Sequence, residues 1–273
     1  MSPMRGAPRP DPLLASGTRD PILNVVSLVK SFDGVDAVRD VSFAVDTGEI
    51  VALIGPNGAG KTTCFNLIHG ELPPDRGDVR FEGRTLLGTP THLLARRGIA
   101  RTFQVAATFA SMTVRESIAL ALVAHAGHDG TILSAPLPSH STRGDALLRR
   151  VGIHGLADAH CAALAYGDAK RLELALALAA VPRLLLMDEP TAGMTPRARR
   201  ELMQLASELA RGDGVAVLFT EHDMDVVFAF ADRIVVLDRG RVIAEGAPDT
   251  VRADERVQAA YLGVENAPLR AST

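Results

Sequence analysis

The feature that most constrains the fold is a glycine-rich turn between an apolar run and a helical segment, in the sequence LIGPNGAGKTT. The apolar run, residues 50–54, predicts a buried strand. The glycines at positions 55, 58 and 60 let the backbone turn its N–H groups toward one phosphate. The helix expected near Lys61 directs its positive end to the same point. A glycine-rich turn without a ligand is the alternative, and the flanking strand and helix argue against it. The segment therefore predicts a phosphate-binding loop.

Each part of this loop has an expected task. Lys61 reaches the β- and γ-phosphates of a nucleotide, and the Thr62 hydroxyl holds Mg²⁺. The residues expected to line the phosphates are Gly55, Pro56, Asn57, Gly58, Ala59, Gly60, Lys61, Thr62 and Thr63.

Composition and charge exclude several classes of protein. The chain has 273 residues, 47% of them hydrophobic, enough for a large core in one α/β domain or in a domain with an inserted lobe. The 29 Lys and Arg residues against 32 Asp and Glu residues leave no basic surface for nucleic acid. The longest apolar runs, such as 118–124 and 174–181, are too short to span a membrane, and the start lacks a signal-peptide apolar region. We therefore expect a cytoplasmic protein. The two cysteines, Cys64 and Cys161, match neither a disulfide framework nor a metal site, and packing is their expected role.

The start and the middle of the chain differ in composition from the rest. Residues 1–20 are rich in Pro, Arg, Gly and Ser and predict a disordered leader, either solvated or touching anionic lipid. Residues 105–180 predict a mainly helical insertion. Within it, residues 125–143 are rich in Gly, Pro, Ser and His and predict a long loop. His125 and His128 lack the acidic or cysteine partners of a metal site.

Hydrophobic patterns and turn residues predict the other elements. Strands are predicted at 22–29, 41–45, 78–81, 98–103, 184–187, 215–220, 234–237 and 242–244. Helices are predicted at 62–69, 89–97, 145–151, 196–211 and 249–262, and others begin after 113 and near 169. Thr113 and Glu116 have the spacing of a capping box.

Two buried strands are expected to end in polar side chains. Residues 184–187 lead into Asp188 and Glu189, and residues 215–220 lead toward His222. Parallel strands of such sheets deliver the residues at their carboxyl ends to the crevice where ligands bind. We therefore expect these side chains near the phosphate-binding loop. The alternatives are solvated acids and a histidine that only caps a strand.

Three other residues have an expected ligand-binding role, and two of them also have an ordinary alternative. Gln104 ends a predicted strand and is either a Mg²⁺ ligand or an ordinary polar residue. Phe32 either stacks on a nucleotide base or is a core or hairpin phenylalanine. Gly167, in the segment LAYGD, lies at the start of an alanine-rich helix and indicates a second anion site, which suggests a partner chain.

Together these motifs resemble the ATP-binding subunits of ABC transporters over residues 22–264. By this resemblance the motifs are the Walker A loop (55–62), the Q-loop glutamine (Gln104), the signature (164–168), Walker B (184–188), the catalytic glutamate (Glu189), the D-loop (192–195), the switch histidine (His222) and the adenine-stacking aromatic (Phe32). The resemblance implies an α/β P-loop NTPase fold with a RecA-like mixed sheet core, an antiparallel β subdomain and an inserted helical lobe at about 105–180. The ATPase domain is expected to span 21–264, before a flexible tail at 265–273.

The resemblance also implies a mechanism. Two subunits sandwich two ATP molecules, each held by the Walker A loop of one chain and by Ala165 and Gly167 in the signature of the other. Glu189 polarises the attacking water and His222 stabilises the γ-phosphate. The expected catalytic residues are Lys61, Glu189 and His222, and the expected Mg²⁺ ligands are Thr62, Gln104 and Asp188.

Finer features narrow the family. LAYG in the signature, EHDM around the histidine, the long insertion and the ending AYLG resemble the subunits of branched-chain or hydrophobic amino-acid importers. The ATPase of the lipopolysaccharide exporter shares the terminal YLG, and urea or amide importers use close relatives. The implied partners are a second ATPase subunit, identical or paralogous, two membrane-spanning permease subunits and an extracytoplasmic solute-binding protein. The implied location is the cytoplasmic face of the inner membrane, through the permease subunits.

Four residues depart from the family pattern. Ala165 lacks the signature serine hydroxyl and Asp168 replaces glutamine; Ala169 stands where this branch often has glutamine, and Thr195 where the D-loop usually has aspartate. These departures leave open a nucleotide-gated module with little turnover, whereas the intact catalytic glutamate and switch histidine favour a working ATPase. A soluble ABC factor acting on DNA or ribosomes is disfavoured, because the chain has neither paired cassettes nor a long coiled coil.

Overall fold

The computed structural model describes residues 20–102, 110–126 and 137–262. Its strands are β1 (Leu23–Phe32), β2 (Val35–Val45), β3 (Ile50–Ile54), β4 (Arg76–Phe81), β5 (Arg84–Thr85), β6 (Ile99–Thr102), β7 (Leu184–Asp188), β8 (Ala216–Thr220), β9 (Arg233–Asp238) and β10 (Arg241–Gly246). Its α-helices are α1 (Lys61–Ile68), α2 (Thr91–Leu94), α3 (Val114–Ala126), α4 (Leu137–Arg150), α5 (Tyr166–Ala179), α6 (Pro196–Asp213), α7 (Met224–Phe230), α8 (Pro248–Ala253) and α9 (Glu255–Leu262).

The central sheet has six strands in the order β10-β9-β3-β8-β7-β6. Strands β9, β3, β8, β7 and β6 are mutually parallel, and β10 pairs antiparallel with β9 at one edge. Strands β3, β7 and β8 are buried along their whole length, which explains their unbroken apolar sequences. Because these strands are parallel, their carboxyl ends lie side by side along the same end of the sheet.

Each face of the central sheet has its own hydrophobic core. Along β3, Ile50, Ala52 and Ile54 belong to one cluster, while Val51 and Leu53 belong to the other. This alternation follows from the two-residue period of a strand. The first cluster includes buried side chains of α3 to α6, and the second includes those of α1 and of the second sheet.

The second sheet is antiparallel and has the strand order β2-β1-β4-β5. Its first two strands form a hairpin in which Phe32 pairs with Val35. Strand β1 is longer than predicted and ends at Phe32, while β4 begins two residues earlier than predicted.

The described part of the segment between β6 and β7 is mainly helical. Helices α3, α4 and α5 contribute Leu122, Leu148 and Leu172 to one hydrophobic core. The predicted capping box is confirmed: Thr113 N donates to Glu116 Oε2 at 2.7 Å, and Glu116 N donates to Thr113 Oγ1 at 3.2 Å. Among the described residues, no helix combines the length and apolar character needed to cross a membrane.

Strand β2 also begins earlier than predicted, and three loop or helix predictions have wrong boundaries. The loop predicted at 125–143 is shorter, because α3 continues to Ala126 and α4 already begins at Leu137. The helix predicted at 249–262 is two helices, separated where Asp254 adopts an extended conformation and its Oδ1 accepts a hydrogen bond from Arg256 N. The helix predicted at 89–97 is α2 followed by a 3₁₀ turn at 95–97. The leader at 1–19, the tail after 262 and residues 103–109 lie outside the described residues.

Candidate active site

The glycine-rich loop between β3 and α1 is shaped by close backbone contacts. Gly60 has a φ of +101°, and a Cβ atom there would lie 2.4 Å from the carbonyl oxygen of Ala37. A Cβ atom on Gly55 would lie 2.1 Å from the carbonyl oxygen of Leu237. Neither position has room for a side chain, so glycine is required at both. Of the loop residues, Asn57 and Gly58 are exposed, whereas Gly55 and Ala59 are buried.

Lys61 lies at the first position of α1 and turns back over the loop. Its Nζ donates hydrogen bonds to the carbonyl oxygens of Gly55, at 2.7 Å, and Pro56, at 3.1 Å. Burial lowers the pKa of Lys61, and the charges of Glu189 and Asp188 oppose this shift. Lys61 and the two acids are therefore close enough to interact electrostatically. Its neighbour Thr62 is exposed.

Asp188 ends β7 and is held on both oxygens. Its carboxylate is 4% exposed. Oδ1 accepts a hydrogen bond from Thr220 Oγ1 at 2.7 Å, and Oδ2 accepts one from Arg101 Nη2 at 3.0 Å. The bonds come from the strands on either side of β7, so the sheet itself fixes the orientation of this carboxylate.

Glu189 follows directly and has a strained backbone. Its φ is +45°, a conformation that costs a non-glycine residue about 1–3 kcal/mol. Its backbone N–H donates to Thr220 Oγ1 at 3.0 Å and to the Thr220 carbonyl oxygen at 3.2 Å, which holds the residue in this conformation. The side chain then meets His222, with 2.7 Å between Glu189 Oε1 and His222 Nε2. Both side chains keep solvent contact, with exposed fractions of 26% and 48%.

The structure thus brings the predicted strand-end residues together. Glu189 and His222 are in direct contact, and Asp188 lies beside them within electrostatic reach of Lys61. This arrangement can hold a cation, orient water and stabilise the charge of a phosphate. Its groups are the Asp188 carboxylate, the Glu189 carboxylate bonded to His222, and the buried ammonium group of Lys61.

The other predicted residues lie elsewhere. Phe32 ends β1 and is 43% exposed, with Lys30 Nζ 5.6 Å from its ring centroid. The alternative of a core phenylalanine is therefore wrong, while stacking on a base stays a prediction. Gln104 lies outside the described residues, as does His128. In the part of the chain that the structure describes, no group of three or more His, Cys, Asp and Glu side chains is placed to hold a metal ion by itself.

The predicted second anion site lies at the start of α5. Ala165 is the residue before the helix and Gly167 lies in its first turn. A Cβ atom on Gly167 would lie 3.7 Å from Met194 Cε, and one on Gly193 would lie 3.5 Å from Tyr166 Cε1. The start of α5 therefore packs against the segment that follows Glu189 and leads into α6.

Two residues of this site were missed by sequence reasoning. Thr220 is 1% exposed and bonds both Asp188 and Glu189. Its signal is a hydroxyl at the end of an apolar strand, two residues before His222. Arg101 contacts Asp188 from β6, and a cation within a strand that is otherwise nearly free of charge is the signal that could have identified it.

Comparison with known proteins places these features in a family. The family model for ABC transporters matches residues 38–192, and a model described as "Branched-chain amino acid ATP-binding cassette transporter" matches residues 241–267. The chain is 38% identical to the high-affinity branched-chain amino acid transport ATP-binding protein BraF of Pseudomonas aeruginosa, over 89% of this chain and 98% of BraF. It is 39% identical to LivG of Salmonella typhimurium, which has the same description, over 89% of this chain and 98% of LivG.

A relative with a different transport role and two solved structures are also similar. The lipopolysaccharide export system ATP-binding protein LptB of Acidithiobacillus ferridurans is 36% identical, over 89% of this chain and 97% of LptB. The ADP conformation of an ATP-binding cassette of an ABC transporter is 30% identical with a TM-score of 0.80, covering 90% of this chain and all of that one. A dimeric cassette bound to ADP and phosphate in a post-hydrolysis state is 25% identical with a TM-score of 0.73, covering 83% of this chain and 98% of that one.

The predicted α/β P-loop NTPase fold is confirmed by these cassettes. A family model that covers more than half of the chain, together with relatives 38–39% identical over nearly their whole length, shows that the chain belongs to the ATP-hydrolysing, ATP-binding subunits of ABC transporters.

Proposed function

We propose that this protein hydrolyses ATP to power the uptake of branched-chain amino acids across the cytoplasmic membrane. The observation that supports hydrolysis is the convergence of Asp188, Glu189 and His222 beside the Lys61 loop. The solute class is supported by the match of residues 241–267 to the branched-chain family model and by the likeness to BraF and LivG. The ATPase domain of the proposal is 21–264, with the helical lobe at about 105–180.

The loop is suited to hold the phosphates of ATP. Among the described residues, the hydrogen bonds of Lys61 Nζ go to carbonyl oxygens of the loop, so an incoming phosphate replaces neutral acceptors with charged ones. Asn57 and Gly58 are exposed just before α1, and their backbone N–H groups are proposed to bind the phosphates. Phe32 is proposed to stack on the adenine, since its ring is exposed at the tip of a hairpin.

The donor set beside the loop fits Mg²⁺. The cation prefers oxygen ligands, and a carboxylate and a hydroxyl are available from Asp188 and Thr62. We assign these two residues and Gln104 to the cation, whose bound charge would offset the charge that develops on the phosphates.

Glu189 and His222 are proposed to act on the reacting atoms. Glu189 orients and polarises the attacking water, and His222 stabilises charge on the γ-phosphate. Their hydrogen bond orients each side chain. Preorganisation of this kind lowers the barrier because the groups need not reorient during the reaction.

The proposed working unit contains two ATPase subunits, as in the dimeric cassette described above. In this arrangement the start of α5, with Ala165 and Gly167, completes the site of the other subunit. The missing serine hydroxyl at Ala165 removes one donor to phosphate, a loss of about 1.5–3 kcal/mol, while backbone donors at the helix start remain. Thr195 accepts a hydrogen bond from Ala198 N and caps α6, so it has a structural task of its own.

Two permease subunits and an extracytoplasmic solute-binding protein complete the proposed transporter. The ATPase is then peripheral, bound to the cytoplasmic face of the membrane through the permease. Lipopolysaccharide export is a second candidate, supported by the 36% identity to LptB.

Uptake of radiolabelled leucine, isoleucine and valine tests the proposal. Cells lacking the chromosomal gene are complemented with the wild-type chain or with Lys61→Ala, at matched protein levels on an immunoblot. We expect Lys61→Ala to abolish uptake of the three amino acids and to leave urea uptake unchanged. Normal amino-acid uptake with Lys61→Ala, in cells without a redundant importer, would contradict the proposed solute class.

A further inference from the structure

A buried guanidinium group links the loop helix to the carboxylate at the end of β7. Arg101, the third residue of β6, has a side chain that is 8% exposed. Its Nη2 donates to Asp188 Oδ2 at 3.0 Å, and its Nη1 donates to Asn66 Oδ1 at 2.9 Å. Nη1 also lies 3.1 Å from Glu71 Oε1, just beyond α1.

Helix α1 holds this group from a second side. The centre of the guanidinium lies 5.9 Å from the ring centroid of Phe65, and Asn66 is the next residue of the helix. Arg101 Nε is buried and has no hydrogen-bond partner within the described residues, which disfavours the buried conformation. The contacts to Asp188, Asn66 and Glu71 therefore hold the side chain in place.

The position of Arg101 matters because each of the two elements that it joins, α1 and β7, carries a proposed Mg²⁺ ligand. Thr62 is the second residue of α1, and Asp188 is the last residue of β7. Arg101 hydrogen-bonds both elements, through Asn66 of α1 and Asp188 of β7. A small cation that requires nearly ideal octahedral geometry tolerates little change in the distance between its ligands.

We propose that Arg101 is a positioning residue for the cation, which fixes the Asp188 carboxylate relative to helix α1. The inference rests on the proposed function, since it assumes that Asp188 serves the cation. Arginine suits this task because its planar fork bonds several acceptors at once, which the single ammonium group of lysine does not reproduce.

Cation binding to the purified chain tests the proposal without any turnover. Mn²⁺ is the spectroscopic probe, titrated into the chain with bound ADP, and the free ion is measured by electron paramagnetic resonance. ADP binding in EDTA, measured with a fluorescent analogue, reports the nucleotide site without metal. The variants are Arg101→Gln and Arg101→Lys, with Asp188→Asn as the reference for loss of the carboxylate.

A matched control exists on another strand of the same sheet. Arg233, the first residue of β9, bonds Glu49 through Nε at 2.8 Å and the carbonyl oxygen of Ala44 through Nη2 at 2.6 Å. Arg233→Gln therefore removes a comparable network of an arginine far from the site.

We expect both Arg101 variants to raise the half-saturating Mn²⁺ concentration by about ten- to a hundredfold, as loss of an outer-shell partner does at other metal sites. ADP binding in EDTA should stay within about twofold of the wild type, because Arg101 contacts no loop residue directly. Arg233→Gln should change neither value. The lysine variant carries the test if the glutamine variant does not fold.

Several results would overturn the inference. Arg101→Gln would bind Mn²⁺ more tightly if the arginine acted only as a competing positive charge. Wild-type binding by Arg101→Lys would show that charge suffices without the fork. An unchanged value for Arg101→Gln beside a raised one for Asp188→Asn would remove the role of Arg101 and leave the proposed function intact. Unchanged values for both would remove the proposed role of Asp188, and this inference with it.

Discussion

Replacing Thr220 with valine isolates the hydroxyl that organises the site. Valine keeps the branched shape but has no polar atom, and the side chain is 1% exposed, so water does not replace the missing group. The bond that Thr220 Oγ1 donates to Asp188 is lost, which costs about 1.5–3 kcal/mol for a bond to a charged group. The Glu189 N–H also loses Oγ1 but keeps the Thr220 carbonyl oxygen at 3.2 Å, so this second loss is about 1 kcal/mol at most. The expected decrease in the free energy of unfolding is therefore about 1.5–4 kcal/mol.

The same change should slow ATP hydrolysis. Asp188 loses one of its two holding bonds, and the strained backbone of Glu189 is held less firmly. A small displacement of catalytic groups lowers turnover strongly, and we expect a decrease of about tenfold or more. Urea unfolding of the purified chain measures stability, and phosphate release by the assembled transporter measures turnover.

Thr220→Ser is the matched control, because it keeps the hydroxyl and removes only a methyl group. It should lower the free energy of unfolding by about 1 kcal/mol, the cost of one buried methyl group, and leave turnover within about threefold. A valine variant as stable and as active as the serine variant would show that the hydroxyl contributes neither to stability nor to turnover.

Three further predictions concern single positions. Gly60→Ala should abolish ATP binding in equilibrium dialysis, since its Cβ atom would lie 2.4 Å from the Ala37 carbonyl oxygen. Gly58→Ala, whose Cβ atom would have no other atom within 4 Å, should bind ATP more tightly than Gly60→Ala, and equal binding by the two would contradict this. Val181→Asn should raise the melting temperature by about 2–4 °C, because Val181 is 61% exposed and has a φ of +49°, a conformation that asparagine tolerates better than valine. An unchanged or lower melting temperature would contradict this prediction. Burial raises the pKa of Cys64 to about 12, so about one thiol in ten thousand is ionised at pH 8, and iodoacetamide should modify Cys64 only in urea. Modification of Cys64 in the folded protein, detected by mass spectrometry, would contradict this.

The sequence predicted those parts of the site that depend on local patterns. The glycine-rich loop needs only adjacent residues, and the strands that end at Asp188 and before His222 are marked by apolar runs. Since parallel strands end at a common edge, their meeting could be inferred from order alone. The contact between Glu189 and His222 follows from that topology.

Contacts between distant residues could not be predicted in the same way. Arg101 and Asp188 are 87 positions apart, and their contact depends on the register of β6 against β7. Nor could the sequence indicate that Thr220 bonds both neighbouring acids, because a threonine at a strand end is common. The left-handed backbone of Glu189 is also set by tertiary hydrogen bonds.

The early start of α4 shows where composition misleads. Residues 137–143 contain Pro, Ser, His and Thr, which are typical of loops, yet proline is compatible with the first turn of a helix. Gly144, inside α4, allows close packing against α3, since a Cβ atom there would lie 3.2 Å from Ile118 Cγ2. Glycine usually weakens a helix, but at Gly144 it lets α4 pack closely against α3.

Comparing the wild type with Glu189→Gln shows whether Glu189 activates the water that attacks ATP. Both are purified with their permease subunits, and ATP binding and phosphate release are measured on the same samples. We expect equal ATP binding and a loss of phosphate release by a factor of about a hundred or more in the variant. Equal phosphate release by the two proteins, with ATP bound to both, would rule out the proposed role of Glu189.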